Sequence, residues 1–128
     1  MKNDSVTLRI PAQPEYLLVV RLTAAGLANR MGFNVEEIED VKAAVAEACI
    51  MLMNQPWAID GITLDFILSK DTFQATAKAQ GEASKTMEEP ENDNDLSRYL
   101  LQALMDDATV QSENGFIHSI SIQKRASL

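Results

Sequence analysis

The chain holds one imidazole, His118, and one thiol, Cys49, so few side-chain chemistries are open to it. A Ser-His-Asp or Cys-His arrangement would have to rest on His118, because an activated nucleophile needs a base within hydrogen-bond reach. A zinc site of clustered cysteines and histidines is excluded, since it needs several such ligands at set spacings. Cys49 has no second cysteine for an internal disulfide. It falls between Ala48 and Leu52 in a helical pattern, where a buried and inert thiol is expected. His118 shares strand parity with Phe116, Ile120 and Ile122 and is expected to be a hydrogen-bonded core or interface residue rather than a catalytic one. Met51, Leu52 and Met53 could line a ligand pocket, because methionine adapts to irregular cavities. The expected role for them and for Trp57 is packing.

Charge narrows the choice of partner. Eleven Lys and Arg stand against nineteen Asp and Glu, a net charge of −8, and the longest basic cluster is Lys124-Arg125. Phosphate backbones would meet repulsion, so DNA and RNA are not expected partners. No apolar run approaches the ~20 residues of a spanning helix, and Met1 to Ser5 lacks the apolar core of a secretion signal. A soluble, cytoplasmic protein with no membrane contact is expected. Residues Glu82 to Asp95 carry six acids and one base, Lys85, which is −5 of the net −8. The 128 residues suit one compact domain, 1–128.

The elements that position these residues follow from periodicity. Val6, Leu8 and Ile10 alternate with Thr7 and Arg9 as a half-buried strand over 5–10, stopped by Pro11. Pro14 is placed as in a first helical turn, and Tyr16, Leu17, Val20, Ala24, Leu27 and Ala28 recur at helical spacing, predicting a helix from about Pro14 to Met31. Asn34 and Glu37 form a capping-box pattern for a second helix, with Ile38, Val41, Val45, Ala48 and Leu52 as its buried stripe. It should end near Asn54, because Pro56 disfavours helical geometry at Gln55. Ile62, Leu64, Phe66 and Leu68, then Phe73, Ala75, Ala77 and Ala79, alternate as a hairpin about Lys70-Asp71. Residues 81–94 read as an acidic loop around Pro90. Asp95 can cap a third helix with Leu96, Leu100, Ala103 and Leu104 on one face, ending by Asp107. Strands over 109–112 and 116–123 are joined by Asn114-Gly115, a tight-hairpin dipeptide. The order β-α-α-β-β-α-β-β predicts an α+β two-layer sandwich, a mostly antiparallel sheet covered by helices on one face.

Several blocks of the chain carry a resemblance. Pro11-Ala12-Gln13-Pro14-Glu15-Tyr16, Arg21-Leu22-Thr23, Gly26, Arg30-Met31-Gly32, Glu37-Ile38-Glu39-Asp40 and Ala44-Val45-Ala46-Glu47-Ala48-Cys49 closely resemble the anti-sigma-factor serine kinases of Gram-positive bacteria. These share the ATPase fold of gyrase, MutL and sensor histidine kinases. A second match covers Tyr99-Leu100, Leu104-Met105-Asp106-Asp107 and Val110-Gln111. The resemblance implies that ATPase fold, binding to a sigma factor, and phosphorylation of a serine or threonine on an antagonist protein with ATP and magnesium.

Position by position, the nucleotide motifs of that family are altered. Its Glu-x-x-x-Asn motif places a base and a magnesium ligand on one helix face, since positions four apart coincide. Here Glu47 stands at the base position, but Met51 stands at the asparagine, and a thioether is a poor ligand for a hard cation. Asn54 lies two turns from Glu47, roughly 10 Å along the axis. The family's Asp-x-Gly corresponds to Ala79-Gln80-Gly81, and alanine cannot accept a hydrogen bond from adenine. The glycine-rich lid corresponds to Asn94-Asp95-Leu96-Ser97-Arg98, with no glycine to let backbone amides approach phosphate. A non-catalytic regulatory binding protein is therefore expected, acting in sigma-factor or partner-switching control, with no cofactor and with Glu47 as a vestigial base. The alternative is an active ATP-dependent kinase using Glu47 as base and Asn54 near magnesium. A third possibility is a structural subunit paired with an active homologue. Family dimerisation through the first strand and helix implies a homodimer, with Glu15 and Arg21 contacting a sigma factor or antagonist protein.

Overall fold

The computed structural model describes residues 3–55, 57–81 and 95–127. The acidic loop expected at 81–94 thus lies outside the described residues except for Gly81. Strand β1 (Asp4–Pro11) leads through a short 3-10 turn, Pro14–Tyr16, into α1 (Leu17–Arg30) and α2 (Val35–Met53). Strands β2 (Gly61–Leu68) and β3 (Thr72–Gln80), helix α3 (Asp95–Leu104), and strands β4 (Asp107–Glu113) and β5 (Phe116–Arg125) follow. The five strands form one sheet in the order β1-β2-β3-β5-β4, and every neighbouring pair is antiparallel. This is the α+β sandwich expected from the element order. Among the described residues no helix is long and apolar enough to cross a membrane.

Alternation decides the two faces of the sheet. Ile10, Ile62, Leu64, Phe66, Leu68, Phe73, Ala75, Ala77, Ile120 and Ile122 are buried under the helices, and the Phe66 and Phe73 rings pack tilted with centroids 5.9 Å apart. The opposite face is polar: Thr7 donates to Asp65 at 3.0 Å, Lys78 pairs with Asp65 at 3.4 Å, and the Thr76 and Ser121 hydroxyls lie 3.0 Å apart. One-sided burial of this kind fixes register, because a one-residue slip would turn the apolar set to water.

Two expectations need correction. His118 does not share the buried face of Phe116, Ile120 and Ile122. The pairing Gln111↔Ser119 is followed by Ser112↔Ile117, so His118 is the extra residue of a β-bulge and the inward position passes to Ile117, 3% exposed. A bulge re-aims side chains in this way. The His118 ring instead lies at the surface, edge-on to Phe116 at 4.7 Å with Glu113 at 3.5 Å. On α3, the face of Leu96, Leu100 and Ala103 is exposed, and the helix is anchored by Leu101, 0% exposed, with Met105 just beyond its end. The rule that apolar residues go inside selected the wrong stripe, because this short helix packs through Leu101 at the margin of its apolar side and leaves Leu96, Tyr99 and Leu100 exposed.

The entry to α2 forms as its capping pattern requires. The Asn34 side chain accepts from the Glu37 N–H at 2.8 Å, and Glu37 accepts from the Asn34 N–H at 2.9 Å. The second Glu37 oxygen accepts the Ser127 N–H at 2.9 Å, tying the end of the described chain to the start of α2. The hairpin β4–β5 turns on Asn114 and Gly115 at φ 54° and 80°, the positive values a two-residue type I′ turn demands.

The backbone N–H groups of Asn34 and then Ser127 hold the Glu37 carboxyl below its ordinary value of 4.5. A depressed folded pKa adds stability that is fully present above the unfolded value and is lost as pH falls through the folded one. The melting-temperature gap between wild type and Glu37→Gln should therefore be widest above about pH 5 and narrow on acidification. Asn34→Ala should cost about 1 kcal/mol in urea denaturation at neutral pH.

Candidate functional site

Helix α2 is buried on more than one side. Ala44, Val45 and Ala46 are consecutive and all at most 1% exposed, which a helix lying on a single surface cannot achieve. It packs against β3 and β5, α1 and α3. Glu47 projects from this helix toward α3, half-buried, and accepts a hydrogen bond from the Ser97 hydroxyl at 2.7 Å. One turn on, Met51 is 2% exposed and part of the apolar core. Cys49 is also in that core, and burial pushes its thiol up to about 12, which keeps it protonated and inert.

The end of β3 borders the same region. Ala79 is half-buried and packed on the core, opposite Ile62. Gly81 has φ +111°, and a Cβ there would fall 2.7 Å from an Asp60 carboxylate oxygen and 2.9 Å from the Asp60 nitrogen. Both conformation and space therefore require glycine. Asp60 is held in place by its N–H donating to Gln80 at 2.8 Å. Pairing between β3 and β5 ends at Lys78↔Ser119, and the unpaired start of β5 is satisfied by Gln55. That side chain donates to the Ile117 carbonyl at 2.9 Å and accepts the Ile117 N–H at 2.6 Å, as a neighbouring strand would. Trp57 packs edge-on against Phe116 at 5.2 Å, with its indole N–H buried and without a hydrogen-bond partner among the described residues.

The structure brings Glu47 and Ser97 together from residues fifty apart, and it sets Glu15 and Arg21 elsewhere. Both of the latter are exposed, on the 3-10 turn and α1, and neither forms an ion pair among the described residues. Their neighbours Leu18 and Leu22 are 62% and 63% exposed. Asn54 is the C-cap of α2, its N–H donating to Ile50 at 2.9 Å. Sequence reasoning missed Ser97 as the partner of Glu47 and Gln55 as the closure of β5. A serine in the first turn of a helix and a polar residue before proline are each too common to signal such roles.

The chain is similar to proteins named serine-protein kinase RsbW. It is 32% identical over 135 residues to the one of Bacillus subtilis strain 168, covering 90% of this chain and 84% of the relative. It is 35% identical over 130 residues to that of Bacillus cereus strain B4264, covering 88% and 80%. Among solved structures, the RsbU and RsbW domains of a Mycobacterium tuberculosis protein align at a TM-score of 0.76 and 16% identity, over 98% of this chain and 33% of that one. That likeness concerns the fold. No protein-family model matches the chain.

The Ser97 to Glu47 bond should be measurable as coupling. In urea denaturation, the cycle of wild type, Ser97→Ala, Glu47→Gln and the double variant should give an interaction of about 1 kcal/mol. Independent effects of the two substitutions would mean that the bond contributes nothing to holding α3 on α2.

Proposed function

The chain belongs to the RsbW serine-protein kinase family, and we propose that within it the protein is a non-catalytic binding regulator. It engages a sigma factor or its antagonist protein in partner-switching control of transcription, and transfers no phosphate. The observation that carries this reading is Glu47. At the position of the family's base, its carboxylate is bonded to Ser97 at 2.7 Å, a residue that replaces the glycine-rich lid. Beside it, the magnesium-ligand position holds Met51, 2% exposed. A buried thioether is a poor ligand for magnesium, and the Ala79 methyl accepts no hydrogen bond from a base. These residues do not fit magnesium-ATP, so Glu47 is a vestigial base in this reading and its present work is structural. The acidic stretch over 81–94 adds negative charge next to the same segment, which disfavours a triphosphate further.

The binding surface we assign to α1. Leu18, Leu22 and Gly26 lie four apart along one ridge, and the two leucines are among the most exposed apolar residues of the molecule. A mid-helix glycine costs about 1 kcal/mol relative to alanine. Among the described residues nothing lies within 4 Å of a Cβ at Gly26, so the packing of α1 within the chain does not call for that glycine. Close approach of a second copy does, which supports a homodimer formed through α1 and β1. Glu15 and Arg21, exposed at the margin of the same surface, are the contacts proposed for the regulatory partner. The unit is taken as one domain, 1–128, working in the cytoplasm.

Isothermal titration with magnesium-ATP up to millimolar concentration should show no binding, and labelled phosphate should not pass from ATP to a candidate antagonist protein. Micromolar binding, or transfer abolished by Glu47→Ala, would establish the active kinase instead. Light scattering after size exclusion should give a dimer for wild type and a monomer for Leu22→Glu. A wild-type monomer that still captures its sigma factor refutes the dimer.

A further inference from the structure

Helix α3 holds an apolar face in water, and nothing in the proposed function uses it. Leu96, Tyr99, Leu100 and Ala103 stand at i, i+3, i+4 and i+7, the spacing of one helix face. Leu96 and Tyr99 are each 74% exposed and Leu100 is 42% exposed, with Ala103 exposed beside them. Single apolar residues on a surface are ordinary, whereas neighbours at helical spacing form a continuous patch.

The helix cannot roll to hide that face, because it is pinned at both ends. In its first turn the Ser97 hydroxyl donates to Glu47 on α2 at 2.7 Å. At its last residue the Leu104 carbonyl accepts from the Lys124 ammonium at 2.8 Å, and Lys124 lies 3.5 Å from Asp40 on α2. Between these ties Leu101 is fixed in the core. The exposed side chains are thus carried on a set frame, and a pre-positioned ridge loses little entropy when it is covered.

Shape and charge together select what covers it. Leu96 with Leu100, and Tyr99 with Ala103, are two rows of residues four apart, and such rows pack into the grooves between the same rows of a second helix. A strand finds no free backbone along the middle of α3, where the groups bond within the helix. Asp106 and Asp107 follow the end of α3, both exposed, and neither forms an ion pair among the described residues. They add to the negative end of the helix dipole. Arg98, the cation of α3, lies toward β4 with Gln102 and does not offset them.

We propose that α3 docks an amphipathic helix of a partner protein, with its apolar stripe against Leu96, Tyr99 and Leu100 and a Lys or Arg against Asp106 and Asp107. Tyr99 is the main anchor, since tyrosine is enriched among the interface residues that carry binding energy. A second copy of the chain is a poor occupant. Laid antiparallel, Asp95 of one α3 would meet Asp106 of the other, and laid parallel each acid would meet its own equivalent; like charges across an interface oppose association. A lipid surface is a poor one too, because helices that lie on membranes carry Lys and Arg on their polar face. The proposal holds whether or not the chain binds ATP or dimerises through α1.

The test is selection of displayed helical peptides about four turns long, randomised on one face and at both ends, against the full chain, followed by fluorescence polarisation. Wild type should enrich an apolar stripe at i, i+4 and i+7 with Lys or Arg at one end. Tyr99→Ser should weaken the selected peptides about tenfold, and Asp107→Lys should exchange the preference for base with one for acid. Amide resonances of residues 96–107 should shift on binding. Should Tyr99→Ser disturb the fold by circular dichroism, Leu96→Ser is read instead and should weaken the peptides likewise. The proposal is overturned by selection without a motif, by a motif and affinity unchanged in these variants, or by shifts confined to α1. A dimer that Tyr99→Ser dissociates, or binding to phosphatidylcholine vesicles that it abolishes, would overturn it equally.

Discussion

The molecule is organised by the burial of α2. Its residues from Ala44 to Leu52 meet the sheet on one side and the other two helices on the others, and two of the neighbouring elements supply small side chains where they approach. Strand β3 does so with Ala75 and Ala77, and α1 with Ala24 and Ala28, all at most 1% exposed. Close approach of backbones gives dense packing without voids, and core positions of this kind do not tolerate enlargement. The same crowding leaves little choice for a carboxylate on α2. Glu47 must either reach water or find a donor, because an unpaired charge in such a place is costly, and the first turn of α3 brings Ser97 to it.

That pairing changes what the family fold means in this chain. Membership establishes the architecture, but chemistry belongs to individual side chains placed on it. A serine bonded to the carboxylate, a methionine in the core one turn later and a half-buried alanine at the end of β3 are the features on which the proposed non-catalytic reading rests. Gly81 persists through these changes for a separate reason. Its backbone turn and its contact with Asp60 exclude any Cβ, whatever the neighbouring residues do.

The two ends of the sheet differ in kind. Near β1, exposed leucines and a glycine on α1 offer an apolar ridge of the sort that a second helix covers. Near β4, a helix stands over an open strand edge with a cation at its rim. Asp107 and Glu113 at the ends of β4 place like charges where a second copy would pair in full overlap.

Much of this was legible in the residues alone. The alternation in β1, β2 and β3, the capping box of Asn34 and Glu37, and the Asn114-Gly115 turn are local signals, settled by neighbours within a few positions, and the structure has all of them. The positions of altered motif residues were equally readable. Contacts between distant segments were not: Ser97 on Glu47, Gln55 on Ile117 and Ser127 on Glu37 join residues that share no pattern. His118 was misplaced because a bulge shifts parity, and a bulge is decided by how two strands fit rather than by either strand. The exposed face of α3 differs from the expected one for a related reason, since the tilt of a short helix on its neighbours decides which margin of its apolar side is buried. Local patterns along the chain settle the elements and the family likeness. Tertiary packing decided which side chains fill the candidate site and which surfaces stay open, because both depend on distances between elements that no local pattern encodes.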